Sequence, residues 1–136
     1  MTQKYLDGLT YKIIGAAIEV HKELGPGLLE NVYEKCLIQS LKERDLNISY
    51  QQSIPIVYHG IYLECNLRFD IMVENMIIVE VKAVDFLLVV HEAQLLTYLK
   101  LMQKPKGILL NFNCVNIFRE GQKTLVTDLF SKLPIS

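Results

Sequence analysis

Tryptophan is absent from these 136 residues, cysteine occurs only three times, and neither sign of charge dominates. Each scarcity removes a class of explanation. Cys36, Cys65 and Cys114 are odd in number, far apart and without a Cys-x-x-Cys. They suit neither a disulfide framework nor a zinc site and read as reduced thiols of a cytoplasmic protein. Lys and Arg number 14 against 15 Asp and Glu, a net charge of −1. The basic excess of proteins that grip nucleic acid by charge alone is missing, so any such surface must be a local patch or a groove formed by a dimer. No apolar run reaches the roughly 18 residues of a membrane span, and the first eight residues lack the apolar heart of a signal peptide. Repeats, low-complexity tracts and linkers are absent too. With 51% hydrophobic and 21% charged residues, the chain is expected to fold as one domain over residues 1–136.

The pattern along the chain predicts an α/β or α+β fold with a mixed central sheet. From Asp7 or Thr10 to Leu24, a stripe of Leu9, Ile13, Ala17, Val20 and Leu24 recurs at helical spacing. Gly25-Pro26-Gly27 breaks that helix. A second is expected over residues 28–44, burying Leu29, Val32, Tyr33, Cys36, Leu37 and Leu41, with Glu30 in the first turn where the helix dipole favours a carboxylate. Strands follow at 49–58, with Pro55 marking an edge or a break, and at 61–73. Residues 85–90 lead into a helix opening near His91 and stopped by Lys104-Pro105, packed through Ala93, Leu95, Leu96, Leu99 and Met102. Residues 106–112 read as a buried strand, 115–119 as a short strand, Gly121 as the start of a turn, and 125–133 as a closing strand or helix.

One stretch stands apart. Residues 76–84 read Met-Ile-Ile-Val-Glu-Val-Lys-Ala-Val, seven apolar residues of nine, the composition of a strand covered on both faces. Glu80 and Lys82 interrupt it two residues apart and therefore on one face. Burying two such charges is costly unless they are paired, hydrated or bound to a metal. A structural ion pair at a sheet edge and a catalytic Glu-x-Lys are both open at this point. The preceding hairpin adds a constraint. A plain two-residue loop at Glu74-Asn75 would set Asp70 opposite Val79 and turn it to the other face from Glu80. A three-residue loop through Met76, or a single bulge, sets Asp70 across from Glu80. The second arrangement is expected, because one acidic site needs both carboxylates.

Polar residues where apolar ones belong are Glu30, Asp70, Glu80, Lys82, Gln94 and Tyr98; the last two, four apart on a helix, share a face one turn beyond His91. Carboxylates with a lysine suit Mg²⁺, which takes one or two carboxylates, keeps waters and accepts phosphate oxygens. Each residue also has a bland explanation. Glu30 can be dipole decoration, Tyr33 a core residue, Gln94 and Tyr98 a half-exposed helix face, and His91 a helix-start residue outside any metal set. Arg68 can pair with a carboxylate or contact phosphate. Lys100, Lys104, Lys106, Arg119 and Lys123 cluster late in the chain and can line a nucleic-acid track, but most of them read as a solvated face.

Asp70, nine intervening residues and then Glu80-Val81-Lys82 resemble the Asp…Glu-x-Lys signature of the PD-(D/E)XK nuclease superfamily. Gly27-Leu28-Leu29-Glu30-Asn31-Val32-Tyr33 is similar to the Gly-x-x-Glu-x-x-Tyr motif of the GxxExxY group within it. Arg68-Phe69-Asp70, Glu80 to Val84, His91 to Leu99 and Gly107 to Phe112 resemble that group's blocks in order. The resemblance runs from about Ile14 to Val126; Phe69 stands where the name-giving proline would be. It implies a restriction-endonuclease-like core, a mixed central β-sheet flanked by α-helices, with Mg²⁺ or Mn²⁺ at the divergent strand pair. Asp70, Glu80 and the Val81 carbonyl would be ligands, Glu30 would hold the metal directly or through water, and Lys82 would position the attacking water. Gln94, Tyr98 and Arg68 would face substrate. Two functions are compatible with this: a metal-dependent nuclease, acting on DNA before RNA, or a catalytically silent module that binds nucleic acid or a partner protein. A homodimer would widen the surface in either case.

Overall fold

The computed structural model describes the whole chain, Met1–Ser136. Its helices and strands follow in the order α1 (Gln3–Leu24), α2 (Glu30–Glu43), β1 (Ile48–Tyr50), β2 (Ile56–Tyr58), β3 (Ile61–Leu63), β4 (Ile71–Val73), β5 (Ile77–Lys82), α3 (Val89–Met102), β6 (Lys106–Asn111), β7 (Gln122–Val126) and α4 (Asp128–Ser131). Five strands form one sheet in the order β1-β4-β5-β6-β7. Every neighbouring pair is antiparallel except β5 and β6, which run parallel because α3 carries the chain across between them. The expected mixed sheet between helices is therefore present. No helix is long and apolar enough to cross a membrane.

β5 lies at the sheet's centre, and its period of two divides the core. Ile77, Val79 and Val81 face α1 and α2, packing with Leu6, Ile13, Ala17, Tyr33, Leu37 and Phe112. Ile78 faces the opposite layer, with Phe69, Met72, Leu95, Tyr98, Leu99 and Leu109. By the same alternation Glu80 and Lys82 belong to the α3 side, where the apolar layer gives out toward the end of the strand.

Several local expectations needed adjustment. α1 begins a turn earlier than expected because the Thr2 hydroxyl caps it, accepting from the Tyr5 N–H at 3.0 Å. In α2, Leu29 and Val32 point outward and the buried set is Tyr33, Leu37, Ser40 and Leu41. The two long strands expected at 49–58 and 61–73 are each broken. The chain leaves the sheet at Gln51 (φ 50°) and returns past Asn66 (φ 53°), and between them β2 and β3 form a separate exposed hairpin. Pro55, which has no N–H to donate, lies in the first break. Residues 115–119 are not a strand. Ile117–Gly121 is a π-helical turn capped by Asn116, and the pairing strand is β7 after it. Nor is Lys106 part of a solvated face: it is 4% exposed, with its Nζ 2.7 Å from Asp7 Oδ1 and 5.1 Å from the centre of the Phe130 ring.

The π-helical turn depends on a glycine. A Cβ on Gly121 would run into the Asn111 carbonyl oxygen, 2.8 Å from Ile117 Cγ1 and 2.9 Å from Cys114 Sγ. Because the nearest obstacle is backbone, Gly121→Ala is expected to destabilise the protein by about 1–3 kcal/mol, read as a lower urea midpoint with an unchanged slope.

Candidate metal and phosphodiester site

The site is organised by the β4–β5 hairpin. Met76 N–H donates to the Val73 carbonyl at 3.0 Å across Glu74 and Asn75, both at positive φ (52° and 56°), which fits a type I′ turn. Beyond the turn the register pairs Val73 with Ile77, Met72 with Ile78 and Ile71 with Val79. Met76 is thus the extra residue of a bulge, and the next pair in line is Asp70 with Glu80. That is the arrangement expected from the two carboxylates.

Asp70 and Glu80-Val81 exchange hydrogen bonds in place of a regular ladder. Asp70 N–H donates to Glu80 Oε2 at 2.7 Å, and Val81 N–H donates to Asp70 Oδ2 at 2.8 Å. Each carboxylate keeps its other oxygen outside this exchange. A strand residue points its N–H and C=O to the same side, so the Val81 carbonyl also faces the β4 side, beyond the last residue that β4 pairs. Glu80 is 4% exposed. Burial, reinforced by the Asp70 charge, lifts its carboxyl from 4.5 to about 8, against the opposing pull of the Asp70 N–H and of Lys82. Burial also raises Asp70, with the Glu30 charge adding to it and the Val81 N–H and Lys82 subtracting.

Glu30 opens α2 and is exposed, joined to Asp70 through its charge rather than by a contact. Its position depends on Tyr33. The Tyr33 hydroxyl donates to the Gly25 carbonyl and accepts from the Leu28 N–H at 3.1 Å, while its ring stacks on Phe112 with centres 4.7 Å apart. Tyr33 therefore acts on the loop ahead of Glu30, not on the carboxylates. Tyr98 is buried on α3, its hydroxyl raised first by burial and then by the charges of Glu80 and Asp70. Gln94, one turn earlier, is exposed. Arg68 is exposed, bridges Ser53 through the backbone and makes no ion pair with either carboxylate. His91 caps its own helix, its Nδ1 accepting from the Leu88 N–H at 3.0 Å.

The structure adds two residues that the sequence did not single out. Gln51 Nε2 lies 2.7 Å from Glu34 Oε1 and 3.3 Å from Asp70 Oδ1. Glu34, half-buried one turn after Glu30, is raised by burial and by the charges of Asp70 and Glu30. The i, i+4 relation to Glu30 was a usable signal for Glu34; nothing in the sequence marks Gln51.

These residues fit a divalent ion of the Mg²⁺ kind. No three acidic, His or Cys side chains converge on one point, as a chelating cage for Ca²⁺ or Zn²⁺ would require. Mg²⁺ needs one or two carboxylates and keeps its waters. Two adjacent carboxylates, both pushed toward protonation and opposed by hydrogen-bond donors and the single charge of Lys82, form the kind of electrostatic deficit that a cation relieves.

Glu80 holds its proton more tightly folded than unfolded, so its contribution is fully present below about pH 4.5 and is lost as pH rises through about 8. Melts in chelator should show stability falling across that window by more than the ~1.4 kcal/mol that one pKa unit represents. Glu80→Gln should flatten the slope, and Mg²⁺ should restore stability at pH 8 in wild type but not in the variant.

Neither the curated proteins nor the solved structures contain a match to the chain. A family model does match, over residues 7–124, which include most of α1, all of α2, the carboxylate hairpin, α3 and β6. By that match the chain belongs to the PD-(D/E)XK nuclease superfamily.

Proposed function

We propose that the protein is a Mg²⁺- or Mn²⁺-dependent nuclease that hydrolyses phosphodiester bonds, DNA before RNA, and that it falls in the GxxExxY group of the superfamily. The observation that carries this reading is the hydrogen-bonded exchange between Asp70 and Glu80-Val81 at the end of the central strand, with Lys82 on the same face. A fold kept for binding alone gains nothing from holding two raised carboxylates side by side. Asp70, Glu80 and the Val81 carbonyl are the metal-holding set, and Glu30 reaches the ion through water from the start of α2. A bound Mg²⁺ would polarise the phosphate, lower the pKa of a bound water and offset the charge on the leaving oxygen. Lys82, half-buried two residues beyond Glu80, orients the attacking water and offsets charge in the transition state. Tyr98 and Gln94 line the approach from α3, and Arg68 meets phosphate from the β4 side.

A second reading, a catalytically silent module, draws on the charge distribution. The net charge is −1, and Lys106 is engaged by Asp7 and Lys104 by Asn75 at 3.2 Å, which takes two of the late cations from any nucleic-acid track. In the nuclease reading a homodimer supplies the missing surface, and the unpaired Cys36, Cys65 and Cys114 support a cytoplasmic setting.

The test is titration of Mg²⁺ and Mn²⁺ into wild type and Asp70→Asn/Glu80→Gln by calorimetry, with cleavage of single- and double-stranded DNA and RNA followed alongside. The double variant should lose both binding and cleavage. Lys82→Ala should bind metal as wild type does and cleave at least about 100-fold more slowly. Metal binding in wild type with no cleavage of any substrate would favour the silent module; no metal binding dependent on Asp70 and Glu80 would refute the nuclease.

A further inference from the structure

Asp70 is held from two sides. Val81 N–H engages Oδ2, and Gln51 Nε2 engages Oδ1. A carboxylate with a donor on each oxygen cannot turn about its last bond without losing one of them. The same Gln51 nitrogen donates to Glu34 Oε1, the shorter of its two contacts at 2.7 Å. Both partners are carboxylate oxygens, which only accept, so the amide must present its nitrogen to them. The Gln51 backbone is committed as well: its N–H donates to the Asp70 carbonyl at 3.0 Å, and its φ of 50° lies in the left-handed region that a side chain makes unfavourable. Such conformations persist where the surroundings over-determine them, and here they aim the side chain at a candidate ligand. Glu34, Gln51, Asp70 and Val81 therefore form one chain of bonds, linking α2, the end of β1, the start of β4 and β5.

We infer that Gln51 is a positioning residue for the metal site, fixing the orientation in which the Asp70 carboxylate would hold the cation, and that Glu34 fixes Gln51 in turn. This rests on the nuclease reading for the identity of the ligand, a divalent cation. Metal-site partners one bond beyond the ligands set their orientation and commonly change affinity tenfold or more when removed. The double donation also explains why an amide stands here. A glutamate of the same shape would bring a third set of acceptors against Glu34 and Asp70, and an aliphatic residue would leave Asp70 held by the Val81 N–H alone and Glu34 without this donor.

The experiment separates side chain from backbone. Gln51→Gly deletes the amide while suiting the positive φ, so its melting temperature should equal or exceed wild type. Its Mn²⁺ affinity by calorimetry should nonetheless fall about tenfold. Gln51→Glu, though isosteric, should bind Mn²⁺ at least as poorly as Gln51→Gly. Glu34→Gln keeps an acceptor oxygen toward Gln51 and should lose only a few-fold. Wild-type Mn²⁺ affinity in Gln51→Gly would overturn the inference and leave the nuclease reading standing. Tighter binding by Gln51→Glu would overturn it too, since position 51 would then be a direct ligand. A wild type without any Asp70-dependent Mn²⁺ site would remove both readings together.

Discussion

Everything at this site depends on keeping two carboxylates adjacent at the end of the central strand. Glu80 is nearly inaccessible to water, and Asp70 is its cross-strand neighbour. In isolation the pair would repel, and burial would add to the cost. The structure limits that cost with backbone donors, one N–H to each residue, which fix the carboxylates without neutralising them. What remains is a strong local preference for positive charge, to which Lys82 is a partial answer. A cation with open coordination positions would complete it, and a cation is also what phosphodiester chemistry uses.

The surrounding fold serves this arrangement. The bulge at Met76 shifts the β4 register by one residue and so turns Asp70 to the face of Glu80. Without it the hairpin would be a regular one and the carboxylates would lie on opposite faces. The Tyr33 ring, stacked on Phe112 in the core, reaches out through its hydroxyl to hold the Gly25–Leu28 loop and hence the start of α2. Glu30 and Glu34 are carried to the same end of the sheet by that helix. α3 brings Tyr98 from the other layer. Core packing and site geometry are therefore coupled through a few residues that belong to both.

The sequence by itself determined the central strand, its two intruding charges, the helices on either side and the pairing of Asp70 with Glu80. These are local or periodic properties: β-branched runs, a spacing of two along a strand, a spacing of three or four along a helix. Even the hairpin register was legible, because a buried acidic site constrains a loop as surely as turn chemistry does. Tertiary structure alone decided the rest. The breaks at Gln51 and Asn66 occur at positive φ, which asparagine adopts readily but glutamine does not, and the exposed β2–β3 hairpin follows from them. The π-helical turn at Ile117–Gly121 exists because Gly121 must pass against the Asn111 carbonyl, a contact between segments with no shared periodicity. Lys106 is buried because Asp7, ninety-nine residues away, comes to meet it. Gln51 joins Glu34 to Asp70 for the same reason: hydrogen bonds between distant segments depend on where the folded chain brings them, and no local pattern encodes that distance.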